Sequence, residues 1–561
     1  MKKSIQIGTS DFKELIEENN YFVDKSLLIK EFLENGAKII LTPRPRRFGK
    51  TLNLSMLKYF FDINTKEETR KLFKGLKIEE EKEIMKLQGE YPVIFITFKN
   101  QKSINYKDFI DGMIVLIFNL YREYEYLLES DKLTEIDKRK YKKILNEDMN
   151  LAELQNSIND LMYYLNKNYG KKVMLFIDEY DVPIQEAYIR GYYNEMIVFI
   201  RNLLTSALKD NIYLEKAMIT GILRVAKESI FSGLNNLQVN TILGLKFTDK
   251  FGFMEEELKQ LLSYYNLQDK SDDMKKWYNG YVFGGKIIYN PWSVLNYIDN
   301  NEEGFMPYWI NSSSNDLIKR LLLKGDNKMK LELEELIEGK SISKTIDDSI
   351  VMSEVEDSNE NIWSFLLMSG YLKAIKTENI EGILHCQLKI PNKEVHIFYE
   401  NLIEKWFKET LTNQKYEEMI STLISGDIEN FGYIFEEFVI NNISYFDVSG
   451  KEPERVYHAF VLGMLVSLSG TYEIKSNKES GYGRYDVMII PKDISKLGII
   501  IEFKKINNLS KESIEEGTLK ALQQIEEKRY SQELVNKGVK DIIKLAIVFK
   551  GKAVRIIQGD E

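Results

Sequence analysis

Residues 38–61, KIILTPRPRRFGKTLNLSMLKYFF, constrain the fold more than any other stretch. A short apolar run (Ile39, Ile40, Leu41) passes through a turn rich in Pro and Arg into Gly49-Lys50-Thr51. Leu52, Leu54, Met56, Leu57, Phe60 and Phe61 then recur with helical spacing. Strand, turn, GK[ST] and helix is the context of a phosphate-cradling loop. In such a loop the helix N-terminus offers N–H groups, Lys50 a cation, and the Thr51 hydroxyl a ligand for Mg²⁺. Arg44 stands where the full G-x-x-x-x-G-K-[ST] pattern has its first Gly. Pro45 removes one backbone donor, and Arg46 and Arg47 offer guanidinium contacts in its place. The competing reading is a basic turn before a buried helix.

Val173–Asp181, VMLFIDEYD, is the second signal. A buried strand ending in Asp178-Glu179 supplies what a phosphate loop needs opposite it: an Asp to order Mg²⁺ or its water, and a Glu to polarise the attacking water. Alone, an interior strand surfacing at an acidic turn would explain it. The strand expected at 91–98 lies between the two motifs, which suits the P-loop subclass with an extra strand separating loop strand from acidic strand. The run Ala217–Gly221 reads as a strand whose Thr220 could sense a γ-phosphate, with Arg224 beyond it as a transition-state cation. Ordinary turn chemistry is the alternative for both.

The 561 residues exceed one ordinary core, and two to four domains are expected. One cysteine, Cys386, excludes an intramolecular disulfide and any multi-cysteine metal site, and three histidines argue against a His-rich zinc centre. Carboxylates should therefore hold any metal, which favours Mg²⁺ or Mn²⁺. The start MKKSIQIGTSDF lacks a secretory apolar core, and the run 459–468 is too short to cross a bilayer. The chain reads as cytoplasmic with no membrane partner. A net charge of −9 offers no global attraction to nucleic acid, while residues 430–561 balance nineteen Lys/Arg against nineteen Asp/Glu.

Taken in order, helices are expected over Phe12–Glu18 and around Leu27–Leu33. Between them Asp24 and Lys25 are site candidates, beside the commoner explanation of a surface pair. Residues 62–90 read as solvated helix faces, 104–170 as two or three helices, and 195–209 as another. From Phe251 the pattern is helical, with aromatic and Gly-rich turns at Trp277–Gly284 and Tyr289–Ser293. These suit a small helical lid, with an aromatic nucleic-acid platform as the alternative. Residues 316–430 read as helical, broken by strands near Trp363–Leu372 and Gly382–Ile390.

Near the C-terminus, Arg484–Ile490 and Gly498–Lys504 flank a polar turn. Pairing antiparallel about residue 494 sets Asp486 opposite Glu502, and Glu502 shares a face with Lys504. Two carboxylates and an ammonium at one end of a hairpin can hold a divalent metal over a phosphodiester, with Lys504 placing the nucleophile or countering charge at phosphorus. The run Ile499–Ile501 should be covered on both faces. A helix over Glu454–Leu468, a strand at Thr471–Lys475, a helix at Lys511–Arg529 carrying Gln524, and a strand at Lys544–Phe549 surround the hairpin. The competing reading is a solvated strand edge, since Asp…Glu-x-Lys is common by chance.

Tyr21–Lys25 (YFVDK), Arg44–Thr51 (RPRRFGKT), the Asp178-Glu179 strand, Trp277–Tyr281 (WYNGY) and Tyr289–Ser293 (YNPWS) together resemble the bacterial AAA-ATPase-like family. Its members typically carry a C-terminal PD-(D/E)xK nuclease-superfamily domain, and Ser480–Asp486 resembles that domain's approach to its metal Asp. The resemblance spans nearly the whole chain. It implies an Arg-rich phosphate loop in which Arg46, Arg47, Phe48, Gly49, Lys50 and Thr51 meet ATP. It also implies Gln524 as an auxiliary polar residue beside the metal, with His458 and Tyr457 contributing from the first helix.

The expected fold is α/β: a P-loop NTPase (ASCE/AAA-like) parallel sheet with a helical lid, plus an α/β restriction-endonuclease-like domain. Expected boundaries are 1–245 for the P-loop domain, 246–330 for the lid, 331–429 for a helical connector and 430–561 for the nuclease-like domain. Thr51 and Asp178 would serve the first metal and Glu179 its chemistry; Asp486 and Glu502 would serve the second, with Lys504. The expected activity is ATP hydrolysis coupled to Mg²⁺- or Mn²⁺-dependent phosphodiester cleavage, with DNA ahead of RNA as partner. An arginine supplied by a neighbour would require a homo-oligomer. The alternative is a nucleotide-dependent switch or adaptor with an inactive nuclease-like fold.

Overall fold

Three apolar runs form the centre of the N-terminal sheet because they are buried almost end to end. They are β1 (Ile39–Pro43), β3 (Val173–Asp178) and β4 (Leu214–Gly221). A strand buried on both faces reads as a continuous apolar run and belongs in a parallel sheet flanked by helices. With β2 (Val93–Thr97) and β5 (Leu237–Val239) they make a five-stranded sheet of order β2-β3-β4-β1-β5, parallel throughout. The computed structural model describes residues 2–223, 236–312, 315–410, 413–441, 464–480, 483–506, 512–550 and 553–559.

The register aligns the functional ends of these strands. Thr42 pairs with Thr220 and Pro43 with Gly221, while Thr97 pairs with Asp178. The extra strand between loop strand and acidic strand is β4. The strand at 93–97, which precedes the acidic motif in sequence, lies instead at the sheet edge beyond β3. Sequence order alone does not reveal this, because parallel strands are joined by crossovers and need not be neighbours in chain order.

The helix Lys50–Phe61 follows the loop as expected, with Gly49 as its cap at φ 80°. Its Leu54, Met56, Leu57, Phe60 and Phe61 are buried, each side chain contributing about 1.5–3 kcal/mol of apolar burial. Helices Tyr106–Glu123, Glu135–Leu145, Leu151–Tyr169 and Tyr193–Leu208 fill the regions expected to be helical. A further helix, Val182–Arg190, begins with Pro near its first turn.

Past the sheet, helices Glu255–Tyr265, Ser271–Tyr278 and Pro291–Asp299 enclose an aromatic core with Phe253, Tyr278, Tyr289 and Tyr297. These rings are buried packing, not an open stacking platform. The short hairpin of β6 (Tyr281–Phe283) and β7 (Lys286–Ile288) lies among them. A three-stranded sheet follows, with β8 (Ile342–Ile346), β9 (Lys373–Ile380) and β10 (Ile383–Lys389) in the order β8-β10-β9. The strand expected at 363–372 is mostly a helix, Asn359–Met368, with Ser358 accepting the Asn361 N–H as its cap. Its run Ile362–Met368 is buried on every side, and such a run lacks the periodicity that separates helix from strand.

The chain forms two compact units. One comprises Met1–Ile318 with Ser343–Val395, the other Lys319–Ile342 with His396–Glu561. The second holds a mixed sheet of order β11-β12-β13-β14-β15: β11 (Tyr472–Ser480), β12 (Gly483–Pro491), β13 (Gly498–Ile506), β14 (Ile542–Lys550) and β15 (Ala553–Gln558). Only β13 and β14 run parallel, joined through the helix Ile514–Glu527. Val487, Ile489, Ile499 and Ile501 pack on one face with Phe431 and Phe435, and Met488, Ile490 and Ile500 on the other with Ile525 and Leu534. The Ile run is therefore covered on both faces. The helix expected over 454–468 lies largely outside the described residues. Among the described residues no helix is long and apolar enough to cross a membrane.

Candidate nucleotide and metal sites

The strand ends of the first sheet bring the phosphate loop and the acidic motif together. Thr51 Oγ1 donates to Asp178 Oδ2 at 2.8 Å, and Thr220 Oγ1 donates to Asp178 Oδ1 at 2.7 Å. Thr97 adds a third, longer hydroxyl contact to Asp178 Oδ2 at 3.3 Å. Burial, and then the neighbouring Glu179 charge, push the Asp178 carboxyl above its ordinary range, against the pull of the two closer hydroxyls and Lys50. The Lys50 ammonium is buried, 3.2 Å from Glu179 Oε1, and donates to the carbonyls of Arg44 and Pro45 at 3.3 and 3.2 Å.

Two non-glycine residues here adopt left-handed backbone: Arg47 at φ 66° and Glu179 at φ 51°. That conformation costs about 1–2 kcal/mol for an L-residue, and such strain gathers where a side chain must be aimed. Gly49 is also left-handed, and a Cβ there would meet no atom within 4 Å, so open space lies beside the cradle. No side chain caps the helix that starts at Lys50, leaving its first N–H groups to face an anion.

The three loop arginines part company. Arg44 is fully buried, donating to the carbonyls of Pro43, Asn240, Lys246 and Phe247 at 2.7–3.4 Å. Its guanidinium lies over Phe251 and Phe283, and burial pulls its pKa down to about 9, still cationic at neutral pH. Arg46 donates to Asn315 and to the Tyr371 hydroxyl and lies over Trp309, whose indole N–H donates to the Arg46 carbonyl at 2.9 Å. Arg47 stacks on Trp292 with its guanidinium 4.0 Å from the ring centroid. The Phe48 ring is buried against Tyr281 and Phe283, so only its backbone is left to face a phosphate. Behind Trp309, buried Glu394 accepts the Trp309 N–H and the Ser293 hydroxyl, and burial raises its carboxyl to about 7.

Asp24 and Lys25 stand elsewhere. Asp24 accepts the Ser26 and Lys77 N–H groups, and buried Lys25 pairs with Glu257 at 2.6 Å, joining the N-terminal segment to the helix Glu255–Tyr265. Lys25 is therefore not a surface residue.

In the second unit Val487 pairs with Ile501 and Ile489 with Ile499, the register that centres the hairpin on residue 494. Regular pairing stops one step before Asp486 and Glu502, because Asp486 Oδ2 takes the Phe503 N–H at 2.7 Å. Glu502 is buried and accepts the Gln524 amide, which also reaches the Tyr530 hydroxyl at 3.5 Å. Lys504 Nζ pairs with Glu512 Oε1 at 3.0 Å. Asp486, Glu502, Gln524 and Lys504 thus gather beside the helix Ile514–Glu527.

Two family models match the chain: residues 6–231 the predicted AAA-ATPase model, and residues 452–559 the PD-(D/E)XK nuclease superfamily model. Residues 6–231 are thus similar to predicted AAA-ATPases, and residues 452–559 to the PD-(D/E)XK nuclease superfamily. It is also similar to the "uncharacterized protein in vnfD 5′ region" of Azotobacter chroococcum mcd 1. That protein is 23% identical over 543 residues, 96% of this chain and 95% of that one.

In the AAA-ATPase region, an ammonium, an uncapped helix N-terminus and a hydroxyl–carboxylate pair fit a triphosphate with a hard cation. In the nuclease-superfamily domain, Asp486 and Glu502 offer oxygen donors of the same class. Among the described residues no group of three or more His, Cys, Asp or Glu is placed to hold a metal ion. A carboxylate pair is enough for a cation that keeps most of its waters or borrows phosphate oxygens. Arg224, His458 and Tyr457 lie outside the described residues. Sequence reasoning missed Thr97, Asp181, Glu394 and Tyr530. The position of Asp181 in D-E-Y-D and of Thr97 at a strand end were the available signals; Glu394 and Tyr530 had none.

Proposed function

We propose that the AAA-ATPase region binds and hydrolyses ATP, and that the nuclease-superfamily domain cleaves phosphodiester bonds in DNA under its control. The observation that carries the reading is the contact chain Lys50–Glu179 and Thr51–Asp178–Thr220, which links loop, acidic strand and intervening strand in one cluster. A divalent cation held by Thr51 and Asp178 would neutralise phosphate charge, and one held by Asp486 and Glu502 would lower the pKa of a bound water. Lys50 exchanges Glu179 for phosphate oxygens when nucleotide enters. Glu179 is then released to accept the proton of the attacking water. Arg47, stacked on Trp292, adds positive charge at the loop. In the second site Lys504 orients the nucleophile or meets the charge at phosphorus, and Gln524 holds Glu502 in place.

The rival is a nucleotide-dependent switch or adaptor that binds a partner without cutting. The pairing of Lys504 with Glu512 favours it, because that ammonium is already engaged. Phosphate release from ATP and cleavage of DNA with Mg²⁺ or Mn²⁺, in wild type and Asp486→Ala, separate the two. Cleavage lost in the variant supports the nuclease; intact substrates with every metal leave the switch.

A further inference from the structure

We infer that Asp181, resting on the ATPase reading above, is a positioning residue that fixes the tip of β4, and with it Thr220, against the acidic end of β3. Asp181 occupies the N-cap position of the helix Val182–Arg190, yet its side chain makes no capping bond. An Asp there ordinarily accepts an N–H of its own first turn, worth about 1 kcal/mol. Instead Oδ2 reaches across to accept the N–H groups of Ile222 and Leu223 at 2.8 and 3.0 Å, with Gln185 Nε2 at 2.9 Å. The side chain forgoes the capping bond for two distant N–H groups, keeping only the Gln185 amide from its own helix.

The same tip is gripped from both sides. Tyr180 N–H donates to the Thr220 carbonyl at 3.1 Å, and the Tyr180 hydroxyl donates to the Leu223 carbonyl at 2.8 Å. Arg44 N–H, at the start of the phosphate loop, donates to the Gly221 carbonyl at 3.0 Å. Residues 220–223 are therefore held by the acidic segment and by the loop at once. The space at Gly221 belongs to this arrangement: a Cβ there would come within 2.6 Å of Asp181 Oδ1 and 2.7 Å of the Tyr180 ring. Thr220 reaches Asp178 from this tip, so an ångström of slack breaks the alignment of groups that meet the terminal phosphate, and errors of that size cost rate more than affinity.

The experiment uses the full chain with Asp181→Ala, Asp181→Asn and Gly221→Ala. Hydrogen exchange at the Ile222 and Leu223 amides reads the brace without reference to turnover. Titration with a non-hydrolysable ATP analogue and phosphate release from ATP read its effect. In D181A the two amides lose protection and turnover falls at least about tenfold, with analogue affinity within about threefold of wild type. D181N keeps an oxygen for both N–H groups and stays within about threefold of wild type in turnover. G221A, with Asp181 intact, reproduces D181A and covers the case in which D181A does not fold. Unchanged exchange in D181A, unchanged turnover in both D181A and G221A, or damage in D181N equal to that in D181A overturns the inference. Absence of turnover in wild type would instead defeat the ATPase reading, and the exchange data would still decide the brace.

Discussion

Thr51 and Asp178 lie 127 positions apart in the chain and meet at 2.8 Å, hydroxyl to carboxylate. The sheet makes this contact. The loop leaves β1, the acidic residue ends β3, and β4 between them adds Thr220 on the other oxygen of the same carboxylate. The loop helix and the acidic strand are thereby joined through one carboxylate, and the consequences of the proposed function can be measured.

Replacing Glu179 with Gln separates binding from chemistry. The carboxylate competes with phosphate for Lys50 at 3.2 Å, so its removal is expected to tighten nucleotide binding about threefold to tenfold. Losing the base is expected to slow hydrolysis at least about 100-fold. Calorimetric titration and phosphate release check the two halves. Equal turnover in variant and wild type would leave Glu179 no catalytic part.

Arg44 serves the loop from behind, with four backbone carbonyls on its guanidinium. Arg44→Leu leaves those acceptors buried without their donor and is expected to destabilise the unit by about 3 kcal/mol. Arg44→Lys recovers little, since one ammonium does not reproduce the planar fork. Thermal melts of the three proteins check this; a lysine variant as stable as wild type would contradict it.

Glu394 makes stability depend on pH in the sense opposite to a carboxylate whose pKa is lowered by folding. Burial raises its carboxyl from the ordinary 4.5 to about 7 in the folded chain, against the weaker downward pull of the Ser293 hydroxyl, the Trp309 and Ile310 N–H groups and the Arg46 charge. Between those values the folded state binds a proton that the unfolded state lacks. The resulting stabilisation is fully present below about pH 4.5 and lost as pH rises through about 7. The shift corresponds to about 3 kcal/mol at most. Glu394→Gln is expected to flatten that part of the curve, seen as a smaller fall in melting temperature between pH 5 and pH 7.5. A slope identical to wild type would mean that Glu394 titrates normally.

Asp486→Asn and Glu502→Gln are each expected to reduce Mn²⁺-dependent DNA cleavage at least about 100-fold. Gln524→Ala is expected to cost less, because it only orients Glu502. A nuclease assay with circular dichroism on each variant tests this. Full activity in either carboxylate variant would remove the pair from the chemistry.

Much of this architecture was legible in the sequence because it rests on local pattern. The apolar runs before Gly49-Lys50-Thr51 and before Asp178-Glu179 read as buried strands, and the polar turn at 491–496 set the hairpin register, which holds as far as Val487 and Ile501. What stayed hidden was set by tertiary contact. Arg44, Arg46 and Arg47 look alike in a row, yet one is drawn into the interior, one onto Trp309 and one onto Trp292. Neighbouring side chains diverge when their partners come from elements hundreds of residues away. The role of Glu394 was equally invisible, since an isolated Glu at a helix start carries no mark of burial. The helix at 359–368 was misread because an apolar run buried all round has no period to count.

The cage around Arg46 has a practical consequence for anyone dividing this gene. Trp309, Asn315, Tyr371 and Glu394 all lie beyond residue 231, where the AAA-ATPase match ends. A fragment cut at that limit would present the Arg44–Thr51 loop without the aromatic walls that hold its arginines and shelter Phe48. Expression boundaries for the first unit therefore belong near residue 395, and inactivity of any shorter piece would say nothing about the intact protein.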